Sequence, residues 1–424
     1  MPAPTPRSRY TLLIPTYNRS THLRSLLGYL AARRFGNPIR VLDSSENEAL
    51  SANRDSVERS GLDIRHQIYD SSTDPYAKFA LGADSVDTPY CSFCADDDIP
   101  FTDNWPRLLD FLDANPAFVA AHGLYINVKP DDPFHISYMV YEGPSIEGDD
   151  GLRRLDKQMG AYQAVFYAIY RTEVLRTALQ GAQRMTTLLA QELLASSLTM
   201  VRGNVHRMPE PYLARNTKPS IATGGWHPHQ ILATEPAALF RQYTAYRDIL
   251  LEHLAADARC RATYAPEQMQ RIVDLAHLKY LAPMLSRPIM DYLIEQSMRP
   301  DMTSRQIIEG VWRTFVPPDD RGADGWRRRL AQMRALMFEP NYASESFEYV
   351  RRLTGLYRTL RFGEKFVISP GSLFDRMTVE RSTREGRVRR YAISPTLVSQ
   401  DFADGGHVTA SQLRNMIGHF DDYV

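Results

Sequence analysis

Residues 78–100 read KFALGADSVDTPYCSFCADDDIP. The first nine residues space their apolar side chains for a helix, and Pro89 separates that helix from the next segment. YCSFCA is a short continuous apolar run, the pattern of a strand buried on both faces. Asp96, Asp97 and Asp98 then stand together at the strand's carboxyl end. Adjacent carboxylates repel, so a tight fold tolerates them only where a cation or hydrogen-bond donors offset the charge. The plainer alternative is a solvated loop with an accidental cluster. The surrounding sequence decides between them.

Upstream, the strand–helix rhythm repeats. YTLLIP (Tyr10–Pro15) is another buried-strand run. In the next segment, Ser20 or Thr21 is the expected cap of a helix with Leu23, Leu26, Leu27 and Leu30 on one face. PIRVLDSSE is a second strand ending in Asp43, DIRHQIYD a third, DPYAKFALGADSV a second helix and YCSFCA a fourth strand. This alternation predicts an α/β fold with a mainly parallel sheet. Open parallel sheets bind ligands beyond the carboxyl ends of their strands. Thr16, Tyr17, Asn18 and Arg19, then Asp43, then the aspartate triplet all fall there. Cys91 and Cys94 form a CxxC, but a strand turns residues three apart to opposite faces, and no second pair completes a tetrahedral site. They are expected to be buried structural thiols.

Bulk properties narrow the class. A chain of 424 residues is expected to form two domains or one large elaborated one. Lys plus Arg equals Asp plus Glu at 50 each, so no global basic field points to nucleic acid. No apolar run reaches the roughly 18 residues of a membrane span. MPAPTPRSRYTLLIP lacks signal-peptide features, and Cys91, Cys94 and Cys260 make no disulfide framework. The expected location is the cytoplasm, with peripheral contact at the inner face of the membrane compatible with it.

With these elements in place, the chain resembles GT-A fold glycosyltransferases of family 2 over about residues 10–230. TLLIPTYNR (11–19) is similar to the family's opening strand, VLDSSE (41–46) to its second strand, and residues 78–100 to its helix, strand and metal-binding DxD segment. The resemblance implies a Rossmann-like GT-A domain taking a nucleotide-sugar, with a UDP-linked donor expected. Pro15, Thr16 and Tyr17 would line the base pocket, Asn18, Arg19 and Lys78 would also bind the nucleotide-sugar, and Asp43 would accept a hydrogen bond from the base. Asp96, Asp97 and Asp98 would serve the diphosphate, with Asp98 and Asp96 holding Mn²⁺ or Mg²⁺. The family's usual form is D-x-D-D, whose first Asp aligns here with Ala95, so the register is either Asp96-x-Asp98 or Asp97 with Asp98. Chemistry agrees. A nucleoside diphosphate leaving group concentrates negative charge, and Mg²⁺ and Mn²⁺ prefer carboxylate oxygens, using only one or two from the protein.

Beyond the triplet, FVAAHGLYINV, HISYMVYE and AVFYAIYR read as strands, RTEVLRTALQ and TLLAQELLASSLTM as helices, and VRGNVHRMPEPYLAR as closing strands. By resemblance, a carboxylate opening a helix here takes the acceptor's proton. The match is Glu192 in QELL, with Asp149, Asp150 and Asp156 as fallbacks; its plain alternative is an exposed helical Glu. His227 or His229 in GGWHPH would add a metal ligand, or be an ordinary loop. Arg215 and Lys218 are within reach of a phosphate, or of nothing.

Residues 231–424 read as a mostly α-helical C-terminal domain after the 1–230 catalytic domain, serving acceptor binding, oligomerisation or membrane association. PAALFRQYTAYRDILLEHLAADAR, APEQMQRIVDLAHLKYLAPML, SRPIMDYLIEQSM, SRQIIEGVWRTFV, DGWRRRLAQMRALMF and SESFEYVRRLTGLYRTLRF all carry helical spacing. RSTREGRVRRYAISP concentrates Arg381, Arg384, Arg387, Arg389 and Arg390, and GRVRRYAIS reads as a strand: either a solvated face or a site for an anionic partner. The leading function is a metal-dependent, inverting transfer of a sugar to a glycan or lipid-linked hydroxyl. A non-catalytic nucleotide-sugar-binding module is the alternative. A sugar nucleotidyltransferase ranks last, because PTYNRST lacks its glycine-rich loop.

Overall fold

The computed structural model describes residues 8–132, 134–140, 143–163, 165–217, 236–277, 279–280, 365–368, 377–382, 388–393 and 408–423. At its centre, β1 (Tyr10–Thr16) runs parallel to β2 (Ile39–Asp43) on one side and to β4 (Tyr90–Phe93) on the other, with β3 (Ile64–Ile68) parallel beyond β2. Successive residues of β1 enter opposite layers. Leu12 and Ile14 join one apolar core and Leu13 the other. Burial on both faces is why the run is apolar throughout rather than alternating.

The sheet becomes mixed past β4. β8 (Ile169–Arg171) pairs antiparallel with both β4 and β6 (Phe118–Lys129), while β9 (Asn204–Asn216) runs parallel to β6 and antiparallel to β5 (Ile99–Pro100). β7 (Phe134–Val140) pairs antiparallel with β6. Three late strands, β10 (Lys365–Ile368), β11 (Met377–Ser382) and β12 (Val388–Ile393), extend the same sheet, β12 lying parallel to β7. Among the described residues this makes one twelve-stranded sheet flanked by helices. AVFYAIYR is only partly strand, its first part being a 3-10 turn at Val165–Tyr167. The closing segment expected as several strands is one bulged strand, β9.

α1 (Ser20–Ala32) buries Leu23, Leu26, Leu27 and Leu30 as its spacing predicts. The cap is a correction: Arg19, not Ser20 or Thr21, occupies the N-cap, with no side-chain cap bond. α2 (Asn47–Arg59) gives no sequence signal, because Asn53 is its one fully buried residue and it shows no apolar stripe. α3 (Pro75–Asp84) starts on Asp74, whose side chain accepts from the Tyr76 and Ala77 N–H groups. α4 (Trp105–Ala114) packs with α1 on one face of the sheet. α5 (Gly151–Gly160), α6 (Thr172–Ala182) and α7 (Leu188–Arg202) pack with α3 on the other.

After residue 235 the chain forms α8 (Pro236–Ala256), α9 (Ala258–Thr263) and a helix over 266–277. The helices expected from SRPIMDYLIEQSM onward to 364, with Arg384 and Arg387, lie outside the described residues. Residues 388–393 are a strand, as the sequence suggests, and α10 (Ala410–Tyr423) returns to the first core, burying Leu413, Met416, Ile417 and Phe420. Arg390 pairs with Asp132 at 2.7 Å and Arg389 donates to the Phe420 carbonyl. No described helix is long and apolar enough to cross a membrane.

Gly123 sits where β6 and β9 press together. A Cβ there would stand 2.3 Å from the Glu210 carbonyl oxygen and 2.9 Å from the Tyr212 Cβ. Backbone cannot yield as a flexible side chain does, so Gly123→Ala is expected to cost about 3 kcal/mol of stability. A fall in the urea midpoint at unchanged slope checks this.

Candidate active site

The carboxyl ends of β1, β2 and β4 meet at one edge of the sheet. Asn18 takes a positive φ of 52° after β1, a conformation Asn tolerates better than most residues. There its N–H donates to Ser45 Oγ and its side-chain oxygen accepts from the Glu46 N–H. Glu46 in turn accepts from Ser71 Oγ, so the loops after β1, β2 and β3 are tied together. Tyr17 is 49% exposed above them. Lys78 rises from α3 beneath, donating to the Thr16 carbonyl at 3.1 Å and to Ser44 Oγ at 2.7 Å. Burial pushes this ammonium down to about 8, against the pull of Asp43 and Asp96.

Asp43 is placed differently from the expectation of a base reader. Its carboxylate is 0% exposed and accepts from the Ser45 N–H, Asn53 Nδ2 and His66 Nε2. Burial opposes its ionisation, but the hydrogen bonds led by His66 outweigh that and hold its pKa below the usual range. In this arrangement Asp43 braces the loop after β2 against α2 and β3. Asp43→Asn keeps the shape but sets an NH₂ against a donor, and is expected to cost about 2 kcal/mol. Because the folded pKa lies below the unfolded one, the wild-type contribution is present above about pH 4 and is lost as pH falls through the folded value. The stability gap between wild type and variant, read by urea unfolding, should therefore narrow in acid.

The aspartates turn to different neighbours. Asp96 accepts from Thr16 Oγ1 at 2.7 Å and pairs with Arg19 at 3.0 Å, and Asp97 meets the same guanidinium. Asp98 faces the other way and accepts from the Asn216 N–H at 3.0 Å. Burial pushes Asp96 up to about 7; Arg19 and Thr16 oppose the rise. Burial and then the charge of Asp97 push Asp98 up to about 7, with Arg215 and Asn216 opposing. Both carboxylates are buried. Among the described residues no group of three or more His, Cys, Asp or Glu is gathered for a metal. Carboxylate oxygens are the ligand type that hard divalent cations take, with phosphate and water able to fill the remaining positions. His227, His229 and Lys218 lie outside the described residues.

Glu192 stands in the second turn of α7, not at its opening; Thr187 caps that helix. Its Oε1 accepts from Tyr162 Oη at 3.3 Å. Burial raises its pKa, opposed first by the charge of Arg215 and then by Tyr162. Arg215, at the end of β9, acts on both Glu192 and Asp98, and its guanidinium lies 5.5 Å from the centroid of the Tyr167 ring. Tyr167 senses Asp98, Glu192 and Asp97 together. The charge of Arg215 thus bears on two side chains 94 positions apart in sequence, Asp98 and Glu192. Tyr162 and Tyr167 carry no mark in the sequence, where each is one apolar-patterned tyrosine among others.

The fallback acids do not join this group. Asp150 caps α5, Asp149 pairs with Arg153 and Asp156 with Lys279. Asp149 and Asp156 border a cavity of about 1020 Å³ that is also lined by Asn204, at the far end of β9 from Asn216. Cys91, Cys94 and Cys260 are buried and unbridged.

No protein-family model and no curated protein matches the chain. Among solved structures it aligns with S. aureus TarS 1–349 in complex with UDP-GlcNAc at 13% identity and TM-score 0.46, over 90% of this chain and 99% of that one. It also aligns with the mannosyltransferase PcManGT from Pyrobaculum calidifontis in complex with GDP-Man and Mn²⁺. That match has 16% identity and TM-score 0.42, over 81% of this chain and 84% of the other.

Proposed function

We propose that the chain is a glycosyltransferase that moves a sugar from a nucleotide-sugar donor, UDP-linked by expectation, to an acceptor hydroxyl with inversion. The observation that carries this is the meeting of Asp96 and Asp97 with Thr16 and Arg19 at the carboxyl ends of β1 and β4, beside the tied loops after β1 and β2, with Glu192 held separately by Tyr162. It supplies an acidic pair for the leaving-group side and a separate carboxylate for the acceptor side.

The base lies against Tyr17 and the Asn18–Ser45 loops, which Asp43 and Lys78 hold from beneath. The diphosphate lies over Asp98 and Arg215. Asp98 with Asp96 or Asp97 would hold Mn²⁺ or Mg²⁺, which when bound would neutralise charge on the departing diphosphate. Glu192 takes the acceptor hydroxyl's proton as that oxygen bonds to the anomeric carbon and the bond to the diphosphate oxygen breaks. Tyr162 orients the Glu192 carboxylate, and Arg215 favours the charged state of both Glu192 and the leaving group. Arg19 compensates Asp96 and Asp97 until the cation and diphosphate arrive.

The full chain should be mixed with UDP-GlcNAc and with GDP-Man, each with and without Mn²⁺. Metal-dependent thermal stabilisation by a nucleotide-sugar, with slow release of nucleoside diphosphate, is expected. Stabilisation without release or transfer would favour a binding module. No stabilisation by any nucleotide-sugar overturns the proposal.

A further inference from the structure

The last described helix reaches the aspartate loop from behind. His419, on α10, is 0% exposed, and its Nδ1 lies 2.7 Å from Tyr29 Oη on α1. The same Tyr29 hydroxyl donates to the carbonyl of Pro100, two residues past Asp98. A carbonyl only accepts and a phenol has one proton, so that proton points at Pro100. Tyr29 Oη must then accept, which places a hydrogen on His419 Nδ1. Burial, followed by the charge of Arg33, pushes His419 down to about 4, so near pH 7 the ring is neutral. Its Nε2 lies 3.2 Å from Arg33 Nη2 and 3.2 Å from Asp103, which also pairs with Arg33. A third partner of Arg33 is Asp422, at 3.1 Å. From His419 Nδ1 through Tyr29 Oη to the Pro100 carbonyl the hydrogen bonds run in one direction.

Packing follows the same route. His419 meets Phe101 edge-on at 5.1 Å, Phe420 stacks on Phe134 at 4.7 Å, and Tyr423 packs against Tyr29 at 6.0 Å. The segment Ile99–Phe101 is thus held between α1, β9 and α10, with the Phe101 N–H donating to the Tyr212 carbonyl. Other ties fasten α10 elsewhere: Gln412 Nε2 donates to the Pro209 carbonyl at 3.2 Å.

The geometry points to α10 as a working part of the active site, with His419 and Tyr29 as positioning residues that set the aspartate loop through the Pro100 carbonyl. This rests on the reading of Asp98 as a ligand of the cation–diphosphate pair. A buried hydrogen bond of this kind is worth roughly a factor of ten in an equilibrium it biases.

The test uses the full chain and two readouts. One is binding of Mn²⁺ with UDP, followed by the loss of the free Mn²⁺ paramagnetic resonance signal. The other is kcat and KM with a turned-over donor. Tyr29→Phe and His419→Leu should each weaken Mn²⁺–UDP binding roughly tenfold. His419→Asn should restore most of it, because its amide donates from nearly the Nδ1 position. Gln412→Ala, which cuts a different tie of the same helix, should leave binding unchanged. Wild-type binding with no change in Tyr29→Phe overturns the inference, even if His419→Leu fails to fold. So does an equal loss in Gln412→Ala, which would indicate general loosening. No Mn²⁺–UDP binding by the wild type overturns the active-site reading itself.

Discussion

Asp98→Ala is expected to lower sugar transfer about a hundredfold or more, and to abolish metal-dependent stabilisation by the nucleotide, with cooperative unfolding retained. A group that meets the cation and the departing diphosphate acts where charge develops, and losing it costs several kcal/mol of transition-state stabilisation. The fold should survive. The carboxylate is 4% exposed and burial pushes it up to about 7, so in the cation-free protein the charged form is poorly accommodated. Its removal takes away the acceptor of the Asn216 N–H. Asp98→Asn keeps an acceptor there, so it should match the wild type in stability while sharing the loss of activity. Asp96→Ala and Asp97→Ala separate the two registers. Asp96 also holds Thr16 and Arg19, so its loss should disturb the β1 loop, whereas Asp97 shares only Arg19. Near-normal turnover in Asp98→Ala would show that the leaving group is stabilised elsewhere.

What the sequence reveals depends on the range of the interactions. β1 and β4 are legible because burial on both faces demands continuous apolar runs, and the helix of Leu23, Leu26, Leu27 and Leu30 because one buried face imposes its period. α2 is illegible for the converse reason: it lies on the surface and its one fully buried residue is polar Asn53. The aspartate triplet announces a site, but not how its members divide. Asp96 turns to β1 and Asp98 to β9, and that division depends on pairing with a strand more than a hundred residues later. The brace from His419 to Tyr29 spans 390 positions. No local pattern in residues 408–423 says where that helix lands. Asp43 is conspicuous for its place at a strand end, yet Asn53 and His66, which enclose it, carry no signal until β3 and α2 are set beside β2.

Glu192→Gln should keep donor and cation binding and lose transfer by a factor of about a hundred to ten thousand. Gln has nearly the same shape and still accepts from Tyr162, but it cannot take a proton from the acceptor hydroxyl. Donor affinity should barely move, because in this reading Glu192 faces the acceptor rather than the nucleotide. The pH profile adds a sharper check. Burial raises the Glu192 pKa, so the wild-type rate should fall in acid with a midpoint above the ordinary glutamate range. The variant should lack that limb. Tyr162→Phe should move the midpoint higher still, because the Tyr162 hydroxyl favours the ionised carboxylate and its loss favours the protonated one. If Glu192→Gln transfers sugar at close to the wild-type rate, the base lies elsewhere. If it loses nucleotide binding instead, Glu192 serves the donor through Arg215 and the acceptor must approach from another side.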